Sequence, residues 1–195
     1  KMAINKYYVV FLLLIGLTCT HADDIEISEQ YMEMFSSRNE LLNSIFNESI
    51  ELLEFISVKG DELCQKIVDA DVYKNVTSEV LESRDKVLSN CIHHVMDRLD
   101  PTKSRLGDGL DETVLLKYGF ENIRKVVDQK YEGFYVEIVR RIDEYVKGLT
   151  VEQQKKQTAQ NLKMWSSKIK NAPNLAAKEM TYRRCMRYYY FENGV

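Results

Sequence analysis

Apolar residues recur at intervals of three or four along almost the whole chain after residue 28. The first such stripe, within residues 28–58, consists of Tyr31, Phe35, Leu42, Ile45, Ser49, Leu52 and Ile56. This spacing matches the turn of an α-helix, and no stretch keeps the period of two that a half-buried strand requires. The 195 residues include only 8 Gly and 2 Pro, so few positions interrupt a helix. The sequence therefore predicts an all-α protein.

The residues that break helices divide the chain into segments. The main interruptions are Gly60, Pro101, Gly148 and Pro173. Thr150 to Gln153 has the pattern of a capping box, in which a threonine and a glutamine side chain satisfy free amides at the start of a helix. We predict a single-domain bundle of five or six mostly antiparallel helices over residues 23–195. Gly119 is expected to mark a break, and Gly133 a close contact between helices.

The first 22 residues have the composition of a cleavable secretory signal peptide. Lys6 precedes an uninterrupted apolar run from Tyr7 to Leu17. A helix needs about 20 apolar residues to span a bilayer, so this run is too short for a membrane anchor. Thr20 and Ala22 are small enough for the positions before a cleavage site. We therefore expect a secreted, extracellular helical domain at 23–195 with no transmembrane segment.

Charge is segregated along the chain, although the formal net charge of the whole is only −3. Residues 23–100 hold 18 acids and 7 bases, whereas residues 147–187 hold 10 bases and 2 acids. Such a basic segment is typical of a surface that binds a polyanion, such as a glycosaminoglycan or an anionic lipid. The alternative is that the basic helices lie beside acidic ones, so that the charges neutralise each other locally. The acidic total argues against sequence-specific binding of nucleic acid.

The last predicted helix interleaves arginine with tyrosine. We take it as the candidate binding surface, formed by Lys178, Tyr182, Arg183, Arg184, Arg187, Tyr188 and Tyr189. Aromatic and arginine side chains are enriched at protein interfaces. Four successive aromatic residues, 188–191, cannot all face inward from one helix, so at least one or two are expected at the surface. The opposing interpretation is that these rings pack the helix against the core with their hydroxyls in water.

Three cysteines remain after residue 22, namely Cys64, Cys91 and Cys185. An oxidising compartment permits one intramolecular disulfide among them. On one unbroken helix Cys64 and Cys91 would be about 40 Å apart, but a hairpin with its turn near residues 72–78 brings them face to face. We therefore predict a Cys64–Cys91 disulfide, and a bond from Cys185 to either of them is the alternative. The remaining thiol is then buried or links two chains.

After residue 22, histidine occurs only at His93 and His94. Cys91, His94 and Asp97 follow one another at single helical turns, but a zinc site needs three or four ligands and the chain supplies no further cluster. We therefore expect no metal and no cofactor. The chain also has no GxSxG motif and no Gly-rich phosphate loop. This inventory favours a non-enzymatic protein over a hydrolase centred on His94 or on carboxylates.

Two triplets match the acceptor pattern for N-glycosylation, Asn47-Glu48-Ser49 and Asn75-Val76-Thr77. A glycan is bulky and hydrophilic, so an acceptor asparagine must lie at the surface. On a secretory route we therefore predict glycans at Asn47 and Asn75.

Together these features favour a secreted, non-enzymatic α-helical binding or effector protein. It would recognise a protein or polyanionic partner through its C-terminal helix. The alternative is a carrier that encloses a small apolar ligand or lipid within the bundle. The lining of such a carrier would consist of Tyr31, Phe35, Tyr131, Phe134, Tyr135 and Trp165. A hydrolase is the third hypothesis, and the sequence supports it least.

Overall fold

The computed structural model describes residues 29–70, 78–103 and 110–191. Within these ranges the chain forms seven helices and no strand. They are α1 (Glu29–Asp69), α2 (Ser78–Leu99), α3 (Leu110–Lys117), α4 (Phe120–Gly148), α5 (Val151–Lys155), α6 (Gln157–Lys170) and α7 (Leu175–Phe191). The all-α prediction is confirmed for this part of the chain. The predicted signal peptide lies outside the described residues, and none of these seven helices is long and apolar enough to cross a membrane.

The chain divides into two units after Phe35, and the second unit, Ser36–Val195, contains the main hydrophobic core. Its central element is α4, which packs against both α6 and α7. The buried side chains of α4 follow the helical period and are Phe120, Val127, Tyr131, Phe134, Tyr135, Ile138, Ile142 and Val146. Burial of each large apolar side chain contributes about 1.5–3 kcal/mol, so this face of α4 holds the unit together.

The predicted end of the first helix at Gly60 is wrong, because α1 continues to Asp69. Glycine within a helix costs about 1 kcal/mol relative to alanine. Its place here is explained by α2, since a Cβ at Gly60 would lie 3.2 Å from Met96 Sδ and 3.5 Å from Val95 Cγ1. Gly60 therefore lets α1 and α2 approach closely.

A disulfide between Cys64 and Cys91 joins the same two helices, with 5.8 Å between the Cα atoms. Further along, Arg84 of α2 pairs with Asp69 at the end of α1. Positions farther along α1 therefore contact positions earlier in α2, which shows that the two helices are antiparallel. This is the predicted hairpin, although most of its turn lies outside the described residues. Cys185 is a buried thiol that forms no disulfide with another described residue.

Two short helices raise the number of helices above the predicted five or six. Gly119 separates α3 from α4 with a φ of 94°, a conformation that favours glycine. The predicted capping box forms, because Thr150 Oγ1 accepts from the Gln153 amide and the Thr150 amide donates to Gln153 Oε1. It opens only α5, since Lys156 is extended and a new helix begins after it. The close contact predicted at Gly133 is wrong, because no atom lies within 4 Å of a Cβ built there.

Candidate functional site

Helices α6 and α7 form a hairpin, and we call residues 155–191 the C-terminal hairpin. Pro173 lies in its turn, and Asn174 caps the start of α7, because its Oδ1 accepts from the Ala177 amide at 2.9 Å. Between the two helices, Asn161 Nδ2 donates to Tyr188 Oη at 2.8 Å. The rings of Trp165 and Tyr188 lie 5.9 Å apart. The two helices are therefore joined by a mixed polar and aromatic contact.

The tyrosines of the predicted binding surface serve mainly to pack α7. Tyr182 is buried, with its ring centroid 5.2 Å from that of Phe134 on α4. Tyr189 is half-buried, and the Arg38 guanidinium carbon lies 5.7 Å from its ring centroid. Burial raises the pKa of both tyrosines. Together with Tyr188, these rings belong to the packing face of the helix, as the opposing interpretation predicts, but the hydroxyls of Tyr182 and Tyr189 are buried rather than in water.

Lys178 and Arg183 of the predicted surface are held in ion pairs within the protein. Lys178 is paired with Glu132 of α4. Arg183 Nη2 lies 3.0 Å from Asp100 Oδ2, just after α2, and Arg183 Nε donates to Glu179 Oε1 at 2.5 Å. Burial lowers the pKa of Arg183, but these two carboxylates raise it further than burial lowers it. Both cations therefore tie α7 to its neighbours.

Glu179 is the acid at the centre of this arrangement. It is buried, and its Oε2 accepts a hydrogen bond from the buried Tyr135 hydroxyl on α4. Burial and the Glu179 carboxylate raise the pKa of Tyr135 well above its usual value, so this hydroxyl stays protonated and donates. The arrangement is structural because all of its bonds lie within the protein.

The remaining predicted side chains of α7 face outward. Arg184 and Arg187 are exposed, and Arg184 has no ion pair with any of the described residues. Of the four aromatic residues 188–191, Tyr190 and Phe191 are exposed, so the sequence correctly predicts that at least one or two lie at the surface. Tyr190 is anchored at one end, because its hydroxyl donates to Asn43 Oδ1 at 2.7 Å.

The C-terminal hairpin presents almost no negative charge to solvent. Its cations are Lys155, Lys156, Lys163, Lys168, Lys170, Lys178, Arg183, Arg184 and Arg187, and its one acid is Glu179. Since Glu179 is buried, the solvent-facing surface of α6 and α7 carries cations and no carboxylate from the hairpin itself. The sequence places the lysines of α6 in the basic segment, but our candidate surface omitted them. Their regular spacing and the absence of acids from α6 are the signals that identify them.

A shallow groove lies between α1 and α4, with a volume of about 310 Å³. Phe55 and Phe134 form its apolar part, Glu48 and Glu51 lie along one side, and Lys130 covers Phe55. Most of the residues predicted to line a carrier cavity do not line this groove. Tyr131, Phe134 and Tyr135 pack on one another in the core, while the side chain of Tyr31 lies outside the described part of the chain. The carrier stays a hypothesis.

The histidine segment of α2 lies at the surface. His93 and His94 are both exposed, Cys91 is committed to the disulfide, and Asp97 is paired with Lys103. The hydrogen bond from Lys103 lowers the pKa of Asp97. Among the residues with described positions, no three His, Cys, Asp or Glu side chains are grouped so as to hold a metal ion.

Of the two predicted glycosylation sites, only Asn47 lies in the part of the chain that the structure describes. Asn47 is exposed on α1, while Ser49 of the same triplet is buried and its hydroxyl donates to the Phe46 carbonyl at 2.6 Å. Asn75 lies outside the described residues. A glycan at either position stays a prediction.

The described part of the molecule is therefore all-α, with a disulfide-linked helical hairpin and a basic C-terminal hairpin. Comparison with known proteins finds no matching family model, no matching curated protein and no matching solved structure.

Proposed function

We propose that the protein is a secreted, non-enzymatic helical protein that binds an anionic partner through the C-terminal hairpin. One observation carries this proposal. The hairpin bears nine cations and a single acid, Glu179, and that acid is buried. Helices α6 and α7 therefore expose no carboxylate of their own, while Lys155, at the start of the hairpin, pairs with the exposed Glu152 of α5.

The local charge is large compared with that of the whole chain. The hairpin has a formal charge of +8, whereas the chain has −3. At neutral pH a protein of this net charge is repelled by a polyanion unless one face is basic. Binding to a polyanion would therefore report on the hairpin rather than on overall composition.

Secretion is supported by two features. The apolar run from Tyr7 to Leu17 fits a signal peptide, and the Cys64–Cys91 disulfide fits an oxidising compartment. Recognition by charge requires no catalytic group. The structure uses Tyr182, Arg183 and Lys178 to hold α7 in place, so we assign recognition to the exposed cations instead.

Retention on immobilised heparin at pH 7.4 tests the proposal. We expect the protein to stay bound at about 0.15 M salt, where exposed charges farther apart than about 8 Å are screened. A variant with glutamine at Lys156, Lys163, Lys168, Lys170 and Arg184 should flow through. The matched control replaces five exposed lysines outside the hairpin, namely Lys66, Lys86, Lys117, Lys125 and Lys147. Flow-through of the unmodified protein at low salt would contradict the proposal.

A further inference from the structure

One face of α6 is polar along its whole length. Starting at the residue before the helix, this face consists of Lys156, Gln160, Lys163, Ser167 and Lys170. The intervals alternate between four and three, so these residues lie above one another on the helix. All five are exposed. We call Lys156, Lys163 and Lys170 the lysine row.

From this arrangement we infer that the lysine row is a binding track for a linear sulfated polysaccharide. The inference rests on the proposed function, because it names the residues of the hairpin that make contact and the chemical class of the partner. It moves recognition from the arginines of α7 to the lysines of α6.

The dimensions of the row suit an extended chain. Lys170 lies 14 positions after Lys156, which corresponds to about 21 Å along the helix axis, with a lysine about every 10 Å. Each ammonium group is a compact charge on a flexible stem with three donors, so it can follow sulfate groups that vary in position. A linear polyanion laid along α6 would meet all three lysines.

The lysines of the row are available for an external anion. None of the three forms an ion pair within the described part of the chain. Lys163 Nζ donates to a neutral acceptor, Gln154 Oε1, at 3.3 Å. Asp143 of α4 lies beside α6 and accepts a hydrogen bond from Ser166 Oγ at 2.7 Å. Helix α6 contains no aspartate or glutamate, so no carboxylate of its own helix neutralises the row.

The composition of this face favours a hydrophilic chain over a membrane. A helix that lies in a bilayer surface buries an apolar face. Here the positions between the lysines are Gln160 and Ser167, and the exposed Met164 lies about a quarter turn away from the row. The row also has no aromatic ring on which nucleic-acid bases would stack.

The experiment compares two variants of equal charge. One carries Lys156→Gln, Lys163→Gln and Lys170→Gln, and the matched control carries Lys66→Gln, Lys86→Gln and Lys125→Gln at exposed positions outside the hairpin. Calorimetric titration with size-defined heparin oligosaccharides at several salt concentrations measures affinity. Circular dichroism confirms that both variants fold.

We expect the row variant to bind at least about tenfold more weakly than the control. Its slope of log affinity against log salt should fall by about 2 to 3, as for the loss of three counterion-releasing contacts. Affinity of the unmodified protein should rise with oligosaccharide length until the chain spans about 21 Å.

Other outcomes separate this inference from the proposed function. If the unmodified protein binds heparin and both variants bind equally well, the lysine row is wrong while binding by the hairpin stands. Binding to phosphatidylserine vesicles without binding to heparin would overturn the inference that the partner is a polysaccharide. The proposed function would stand, with an anionic membrane as the partner. If the unmodified protein binds neither heparin nor these vesicles, the proposed function fails as well.

Discussion

The buried hydrogen bond between Tyr135 and Glu179 gives the most direct test of how α7 is held. Tyr135 is only 1% exposed, and its hydroxyl donates to Glu179, which is also buried. Glu179→Leu removes the acceptor and leaves that hydroxyl without a partner. The same change takes from Arg183 one of its two carboxylates, while Asp100 remains.

The two consequences differ in size. A buried hydroxyl that loses its partner costs about 1–3 kcal/mol. Arg183 is about half exposed, and an exposed ion pair contributes about 0–1 kcal/mol. We therefore expect Glu179→Leu to lower the free energy of unfolding by about 1–4 kcal/mol. At about 2–4 °C per kcal/mol for a domain of this size, the unfolding temperature would fall by roughly 2–16 °C.

A double-mutant cycle isolates the hydrogen bond. Tyr135→Phe alone leaves a buried carboxylate oxygen without its donor and should cost about 1.5–3 kcal/mol. The double variant Tyr135→Phe, Glu179→Leu should cost only about 0–1 kcal/mol, because replacing both partners by apolar groups is nearly neutral and only the half-exposed ion pair to Arg183 is still lost. Urea unfolding followed by circular dichroism measures all four proteins. Glu152→Leu, at an exposed acid on α5, is the control and should change stability by less than about 0.5 kcal/mol.

Additivity would refute this reasoning. If the two single losses sum to the double loss within about 0.3–0.5 kcal/mol, the side chains do not interact. The hydrogen bond between Tyr135 and Glu179 would then contribute nothing measurable to the stability of the folded protein.

Three further outcomes follow from the geometry. Gly60→Val should lower the free energy of unfolding by about 1–3 kcal/mol by forcing α1 from α2, whereas Gly133→Ala, in open space, should raise it by about 1 kcal/mol; equal losses by urea unfolding would contradict the close approach at Gly60. Burial raises the pKa of Asp100, but hydrogen bonds from a threonine and an arginine lower it further, so its net value lies below the usual one. The ionised Asp100 therefore stabilises the protein above about pH 4, and this contribution is lost as the pH falls through the lowered pKa of the folded state. Asp100→Asn should make the unfolding temperature depend less on pH between about pH 2 and 5. The same pH dependence in the variant and the unmodified protein would count against these hydrogen bonds. Burial raises the pKa of the Cys185 thiol to about 12, so an aromatic disulfide reagent at pH 8 should label it only as the protein unfolds, and rapid labelling of the native protein would show that the thiol is accessible.

Local patterns in the sequence predict much of the fold. The three- and four-residue spacing predicts the buried faces of α1 and α4, and Thr150 and Gln153 predict their own capping box. The Cys64–Cys91 disulfide follows from a reach argument, because only a hairpin brings these residues together. Each of these inferences depends on residues close in sequence or on the length of an extended helix.

Features that depend on distant contacts could not be predicted in this way. Gly60 looks like the end of a helix until Met96 is known to pack beside it. Arg183 looks like a free cation until Asp100, 83 residues away, is known to pair with it. The same holds for Glu179, whose burial depends on Tyr135 of α4. The sequence alone therefore favours the arginines and tyrosines of α7 as the binding surface, whereas the contacts in the structure favour the exposed lysines of α6.

Charge segregation along the helices also affects how fast a partner would arrive. Residues 23–100 carry a large excess of acids, so a polyanion that approaches them is repelled, while one that approaches the C-terminal hairpin is attracted. The molecule would rotate in that field before contact, which raises the association rate at low salt more than the contact area alone implies. The acidic helices would thus act on the orientation and speed of the encounter, and the lysine row on the lifetime of the complex.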